Sequence, residues 1–210
     1  MYELTTSNVN QLKLYEYKLN KITKEPESFK ERLVTANDVS YDNINKDTFQ
    51  NENVQKILEG NKKNFDYLKD QVKFLGFGED ENLQEKLKSH VYSDAKEFSI
   101  STSSDKTSFQ NKASFELHFN RSAEPTNVFF NKFDARLTNE KRDVDLVHTF
   151  AVKNNGFTAK QAINLLEGRS VKTEITNPNT KEKETAFVKL KLNEEKNDNG
   201  NFKLQVYNKN

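Results

Sequence analysis

The chain carries three histidines, His90, His118 and His148, and no cysteine among its 210 residues. Without thiols, disulfides, cysteine nucleophiles and cysteine-ligated zinc are all excluded. Metal or proton chemistry would therefore fall to imidazole and carboxylate. His118 and His148 both lie in stretches of alternating polarity. Two strand histidines can meet across a ladder and, with Glu116 or Asp145, hold a cation. No His-x-His or His-x-x-x-His spacing supports such a site. The preferred reading is an exposed His118 on the polar side of its strand, a hydrogen-bonded His148 in the core, and His90 among polar residues. No metal site and no cofactor is expected.

The common catalytic loops are also missing. There is no Gly-x-Ser-x-Gly elbow, no Walker-type phosphate loop and no dinucleotide glycine fingerprint, and the 6 glycines are not grouped as such loops demand. The carboxylate pairs Asp143/Asp145 and Glu194/Glu195, and the run Glu79-Asp80-Glu81, sit in expected turns, where solvation explains them. An enzyme with an unrecognised site is the third reading of this chain.

Binding chemistry has more support. The stretch VFFNKFDARL interleaves Phe129, Phe130 and Phe133 with Lys132 and Arg136. Under strict alternation Phe130, Lys132, Asp134 and Arg136 share one strand face, while Phe129, Phe133, Ala135 and Leu137 share the other. An aromatic ring beside two cations on an open sheet can stack a base and neutralise phosphates. Arg142, Arg169 and Lys172 extend the patch if the fold brings them near. Against this, a core position covered by the central helix or the N-terminal region is the preferred reading of Phe130, and Asp134 weakens a phosphate surface.

Such residues need elements to position them. The apolar content is 33% and the charged content 31%, but 33 basic residues nearly cancel 32 acidic ones, leaving a net charge of +1. Low apolar content with high net charge would imply disorder. Here the charges balance, and 16 Phe with 7 Tyr supply burial, so a folded protein with a very polar surface is expected. A near-neutral chain has no global attraction to nucleic acid or anionic membrane. The first residues lack the basic-then-apolar pattern of a secretory signal, and no stretch approaches the roughly 20 apolar residues of a membrane span. A cytoplasmic protein is expected.

Residues 1–95 read as helical. Leu12, Tyr15, Leu19 and Ile22 form one stripe, and Pro26 opens a second helix bearing Phe29, Leu33 and Val34. Asp47 is the expected cap of a third, carrying Val54, Ile57 and Leu58 and closed by Gly60. Phe65, Leu68, Val72 and Leu75 mark a fourth, stopped by Gly76 and Gly78, and Asp80 caps a last one through Leu83 and Leu87. From 96 the period changes to 2. Phe98–Thr102, Phe115–Phe119, the Phe-rich stretch and Val144–Val152 predict a four-stranded antiparallel meander with one wet face.

Residues 158–167 then form one strong amphipathic helix. Thr158 and Gln161 have capping-box spacing, and Ala162, Ile163, Leu165 and Leu166 form its apolar stripe, with Gly168 at its end. Strands over SVKTEIT, AFVKLKL and NFKLQVY follow, with turns at Pro178-Asn179 and Asp198-Asn199-Gly200. The expected fold is α+β: a helical region over 1–95, then a mostly antiparallel sheet over 96–210 with one central crossover helix. The chain ends shortly after its last expected strand, as a piece of a longer protein would, or a strand tied down by pairing.

The stretch NGFTAKQAINLLEGRSV, with FFNKFDARLTNEK before it and NDNGNFKLQVY after, resembles an uncharacterised domain of Bacteroidetes conjugative and mobile-element proteins. The likeness runs over roughly residues 64–210 and rests on Asn155, Gly156, Thr158, Ala159, Lys160, Ala162, Asn164, Leu165, Leu166, Gly168, Arg169 and Val171. Family members usually show a Trp and an aromatic-rich strand after the helix, where this chain has Ala186-Phe187-Val188. The missing catalytic motifs, together with the mobile-element context that the resemblance implies, lead to a non-catalytic binding or adaptor protein of a mobile genetic element. Lys160, Gln161 and Asn164, the exposed residues of the central helix, are the expected contacts with an unidentified protein partner. A single-stranded nucleic-acid-binding accessory protein using Phe130, Lys132, Arg136, Arg142 and Arg169 is the alternative.

Overall fold

Strand alternation governs much of the chain from Glu97 onward, and seven strands follow from it among the described residues. The computed structural model describes residues 52–78, 80–123, 126–153, 156–176 and 182–208. The expected helices at 12–22 and 26–34, the Asp47 cap and the Pro178-Asn179 turn lie outside them. Among the described residues the α-helices are α1 (Glu52–Phe74), α2 (Glu81–Val91) and α3 (Ala159–Leu166). Strands β1 (Glu97–Ser104), β2 (Lys112–Arg121), β3 (Val128–Asn139) and β4 (Val144–Ala151) pair in that order as one sheet. A second sheet has the order β5 (Val171–Thr176), β6 (Lys183–Leu190), β7 (Leu204–Asn208). The α+β class is as expected, but the strands divide between two sheets. Among the described residues no helix is long and apolar enough to cross a membrane.

The described chain forms two units. The first comprises 52–67, 84–96 and 121–128. Gly60 does not close a helix here. It lies inside α1, where a Cβ would come within 2.9 Å of the Thr126 side chain, so close approach explains the glycine better than helix termination. One turn on, the Asn64 amide clasps the Val128 backbone, accepting from its N–H at 2.9 Å and donating to its carbonyl at 3.0 Å. Arg121 donates to the carbonyls of His90, Val91 and Ala95 at 3.0, 3.2 and 3.1 Å, tying the end of α2 and the segment after it to the last residue of β2.

The second unit holds 68–83, 97–120 and everything from 129 on. Gly76 and Gly78 adopt φ of +84° and +97° and turn the chain after α1, as expected of helix-ending glycines. Asp80 caps α2, its Oδ1 accepting from the Leu83 N–H at 2.9 Å. Between them Phe77 meets Phe133, Phe115 and Phe130 edge-on, with ring centres 4.8, 5.2 and 5.9 Å apart. Each such pair contributes about 0.5–1.5 kcal/mol beyond area burial. This aromatic cluster is the core of the first sheet.

At α3 the expected capping box is present: Thr158 Oγ1 accepts from the Gln161 N–H at 3.2 Å, and Gln161 Oε1 accepts from the Thr158 N–H at 2.9 Å. The Ala159 N–H donates to the Leu75 carbonyl at 2.7 Å, and Ala162, Ile163, Leu165 and Leu166 are all buried. The β6–β7 connection is longer than the Asp198-Asn199-Gly200 turn predicts. Leu190 already pairs with Leu204, so the chain from 191 to 203 is a loop. Within it Gly200 has φ +75° and Phe202 is buried.

Candidate functional site

The alternation of the first sheet sorts its residues onto two faces. Ile100, Phe115, Leu117, Phe119, Phe133 and Phe150 line the core, leaving the other face to polar side chains. Ser99 pairs with His118 across β1 and β2, and Asp134 with Thr149 across β3 and β4. These residues and Glu116 form a chain of contacts across all four strands. Ser99 Oγ donates to Glu116 Oε1 at 2.7 Å. His118 Nε2 lies 2.9 Å from Asp134 Oδ2, and Thr149 Oγ1 donates to Asp134 Oδ1 at 2.6 Å. One ligand-type atom from each of Glu116, His118 and Asp134 lies within 4.8 Å of the other two. Burial opposes ionisation of Asp134. The hydrogen bonds from Thr149 and His118, with the positive charges of His118 and Lys132, outweigh it and hold the carboxyl below its ordinary value.

His148, which the disfavoured metal reading would pair with His118, is on the opposite face. It pairs with Ala135, is buried, and accepts the Phe202 N–H on Nδ1 at 3.2 Å. The two histidines do not meet, because Thr149, paired with Asp134, lies in the row of His118, and His148 is one residue away, an odd step that turns its side chain to the other face. The core reading of His148 holds. Its Phe150 neighbour meets it edge-on at 4.5 Å, and Phe202 stacks at 6.2 Å.

The proposed stacking face is rearranged too. Phe130 is only 4% exposed and stacks on Phe119 with centres 4.8 Å apart, so it offers no ring to a ligand. Asn131 and Lys132 both point outward and Phe133 points in again, as at a β-bulge. This slip reverses the expected phase: Phe129 is exposed and Phe130 is core. Lys132 and Arg136 do lie on the exposed side of β3, but Arg136 makes a bidentate pair with Asp145 at 2.8 and 2.5 Å. The hydrogen bond from Arg136 pulls the Asp145 carboxyl below its usual range.

Arg142 lies elsewhere, over the Phe109 ring at 4.9 Å. Arg169 pairs with Glu167 and reaches Ser108 Oγ at 3.4 Å. Of the partner candidates on α3, Lys160 is exposed and Asn164 half-buried. Gln161 is engaged in the cap and also donates from Nε2 to the Lys172 carbonyl at 3.1 Å.

A second polar feature lies at the loop end of the first sheet. Phe109 and Gln110 both adopt left-handed backbone, φ 58° and 60°, and Phe109 is 70% exposed. Left-handed conformations are costly for bulky residues and concentrate where a site needs them. Beside them a cavity of about 260 Å³ is lined by Gln110, Lys112, Thr138, Asn139, Glu140 and Lys141. Residues 103–112 carry no motif that marks this loop in the sequence; a lone Phe109 between Lys106 and Lys112 is its signal. Comparison with protein-family models, curated proteins and solved structures returns no match.

Proposed function

We propose that this chain is a non-catalytic binding protein that holds an extended segment of a protein partner, in the service of a mobile genetic element as the resemblance implies. The observation that supports it is β7, the end strand of the second sheet. Leu204 and Val206 pair with the buried Leu190 and Val188, yet are 42% and 43% exposed. On the opposite face Phe187 and Tyr207 pair with each other and are 41% and 44% exposed. An edge strand with apolar side chains on both faces is open to pairing with an added strand. Exposed Lys189 lies one strand in from this edge, two residues from Phe187 and paired with Gln205, so a partner strand alternating apolar and acidic residues complements this edge.

Selection of displayed random peptides on the intact protein tests the reading. Enrichment of extended apolar/acidic segments is expected, with affinity falling at least about thirtyfold in Val206→Lys, a hot-spot-sized loss. No enrichment, or equal binding by the folded variant, refutes it. Concentration-dependent dimerisation abolished by the same substitution assigns the edge to a second copy instead.

Single-stranded nucleic acid is the second reading, and the observation favouring it is Phe109 rather than Phe130. An exposed ring under Arg142, near Lys112 and Lys141, combines a stacking platform with phosphate-neutralising charges. Labelled oligonucleotides at low salt are expected to bind, with Phe109→Ala weakening binding about five- to a hundredfold, the range for one stacked base. Unchanged anisotropy on adding the protein, or equal affinity in Phe109→Ala, excludes this reading.

A further inference from the structure

We propose that Glu116, His118 and Asp134 form a binding site for a divalent first-row transition-metal ion, zinc being the probe of choice. The three residues come from adjacent strands: Glu116 and His118 are two apart on β2 and so share a face, and Asp134 projects from β3 beside them. Their ligand-type atoms already lie within 4.8 Å of one another, which a small inward shift converts into a common coordination sphere. One imidazole nitrogen with two carboxylate oxygens is a mixed donor set. It suits zinc and its neighbours better than magnesium or calcium, which prefer oxygen alone.

The outer contacts are those a metal site needs. One oxygen of each carboxylate is already held by a hydroxyl from the next strand, Glu116 Oε1 by Ser99 and Asp134 Oδ1 by Thr149. The second oxygen of each remains for the ion, so the hydroxyls orient the ligands without competing for it. His118 Nε2 and Asp134 Oδ2 now face each other at 2.9 Å. An ion inserted between them takes the Nε2 lone pair. A doubly protonated ring releases one proton to solvent, a neutral Nε2–H ring shifts its proton to Nδ1 with no net release, and in both cases the bound ring carries its proton on Nδ1. The side chains of His118 and Asp134 are 26% and 32% exposed, leaving an approach for the ion and room for water in its remaining positions.

Isothermal titration of the untagged full chain with zinc chloride, in two buffers of different ionisation enthalpy, tests the site. One equivalent is expected to bind, with buffer-dependent heat only at pH values where the ring starts doubly protonated, and with no competition from excess magnesium. Affinity should fall at least about tenfold in His118→Ala, and by a smaller factor in Thr149→Val, which removes only an orienting contact. His90→Ala should bind as the unaltered chain does. Near-native circular dichroism of the variants excludes unfolding as the cause, and Asp134→Asn supplies an isosteric second ligand test. Absence of zinc binding, binding unchanged in His118→Ala and Asp134→Asn, or equal competition by magnesium overturns the proposal.

Discussion

His148 shows how a single residue's environment becomes a property of the whole fold. Its ring accepts the Phe202 N–H, which requires a neutral Nδ1. Burial, joined by the nearby positive charge of Lys196 and opposed by Asp134, pushes its pKa down to about 4. In the unfolded chain histidine titrates near 6.5, so below that pH the unfolded state takes a proton that the fold excludes. This contribution to stability is intact above about pH 6.5 and is lost as the pH falls toward 4. Between pH 7 and 5 the loss amounts to at most about 2 kcal/mol, less as solvent screens the ring. Urea midpoints at the two pH values are expected to fall in the unaltered protein and to change less in His148→Gln. The core position of His148 was legible because Leu146 and Phe150 flank it in phase. The positions of Phe129 and Phe130 were not, because two phenylalanines in succession give a bulge nothing to betray it.

At the scale of the element, α3 is where local signals and packing agree. Its capping box, apolar stripe and terminal Gly168 (φ +77°) all match what its sequence predicts. Leu165 is fully buried, so Leu165→Ala should lower unfolding free energy by about 2–5 kcal/mol. Thr158→Ala, which removes one cap acceptor, should cost about 1 kcal/mol. Equal losses in urea denaturation would show that the stripe is not the helix's main anchor. The opposite case is α1, where Gly60 looks like a stop and is not. A mid-helix glycine costs only about 1 kcal/mol relative to alanine, an amount tertiary contact readily offsets. The Thr126 side chain at that surface has no local signature in the sequence.

For the molecule as a whole, a net charge of +1 makes distribution matter more than total, and distribution is a tertiary property. The sequence by itself determined the α+β class, the strand periods, the cap of α3, the glycine turns after α1 and the burial of His148. These are local or periodic signals, carried by residues a few positions apart. Tertiary structure alone decided that the strands form two sheets, that Phe130 faces inward, and that Arg136 is occupied by Asp145. It also decided that Glu116, His118 and Asp134 meet, on strands whose pairing puts residues 16 apart within hydrogen-bond reach. Alternation says which face a side chain takes, whereas register says which side chains it touches. Register depends on loop geometry, bulges and the packing of the far face, and none of these is written in the residues that finally come together.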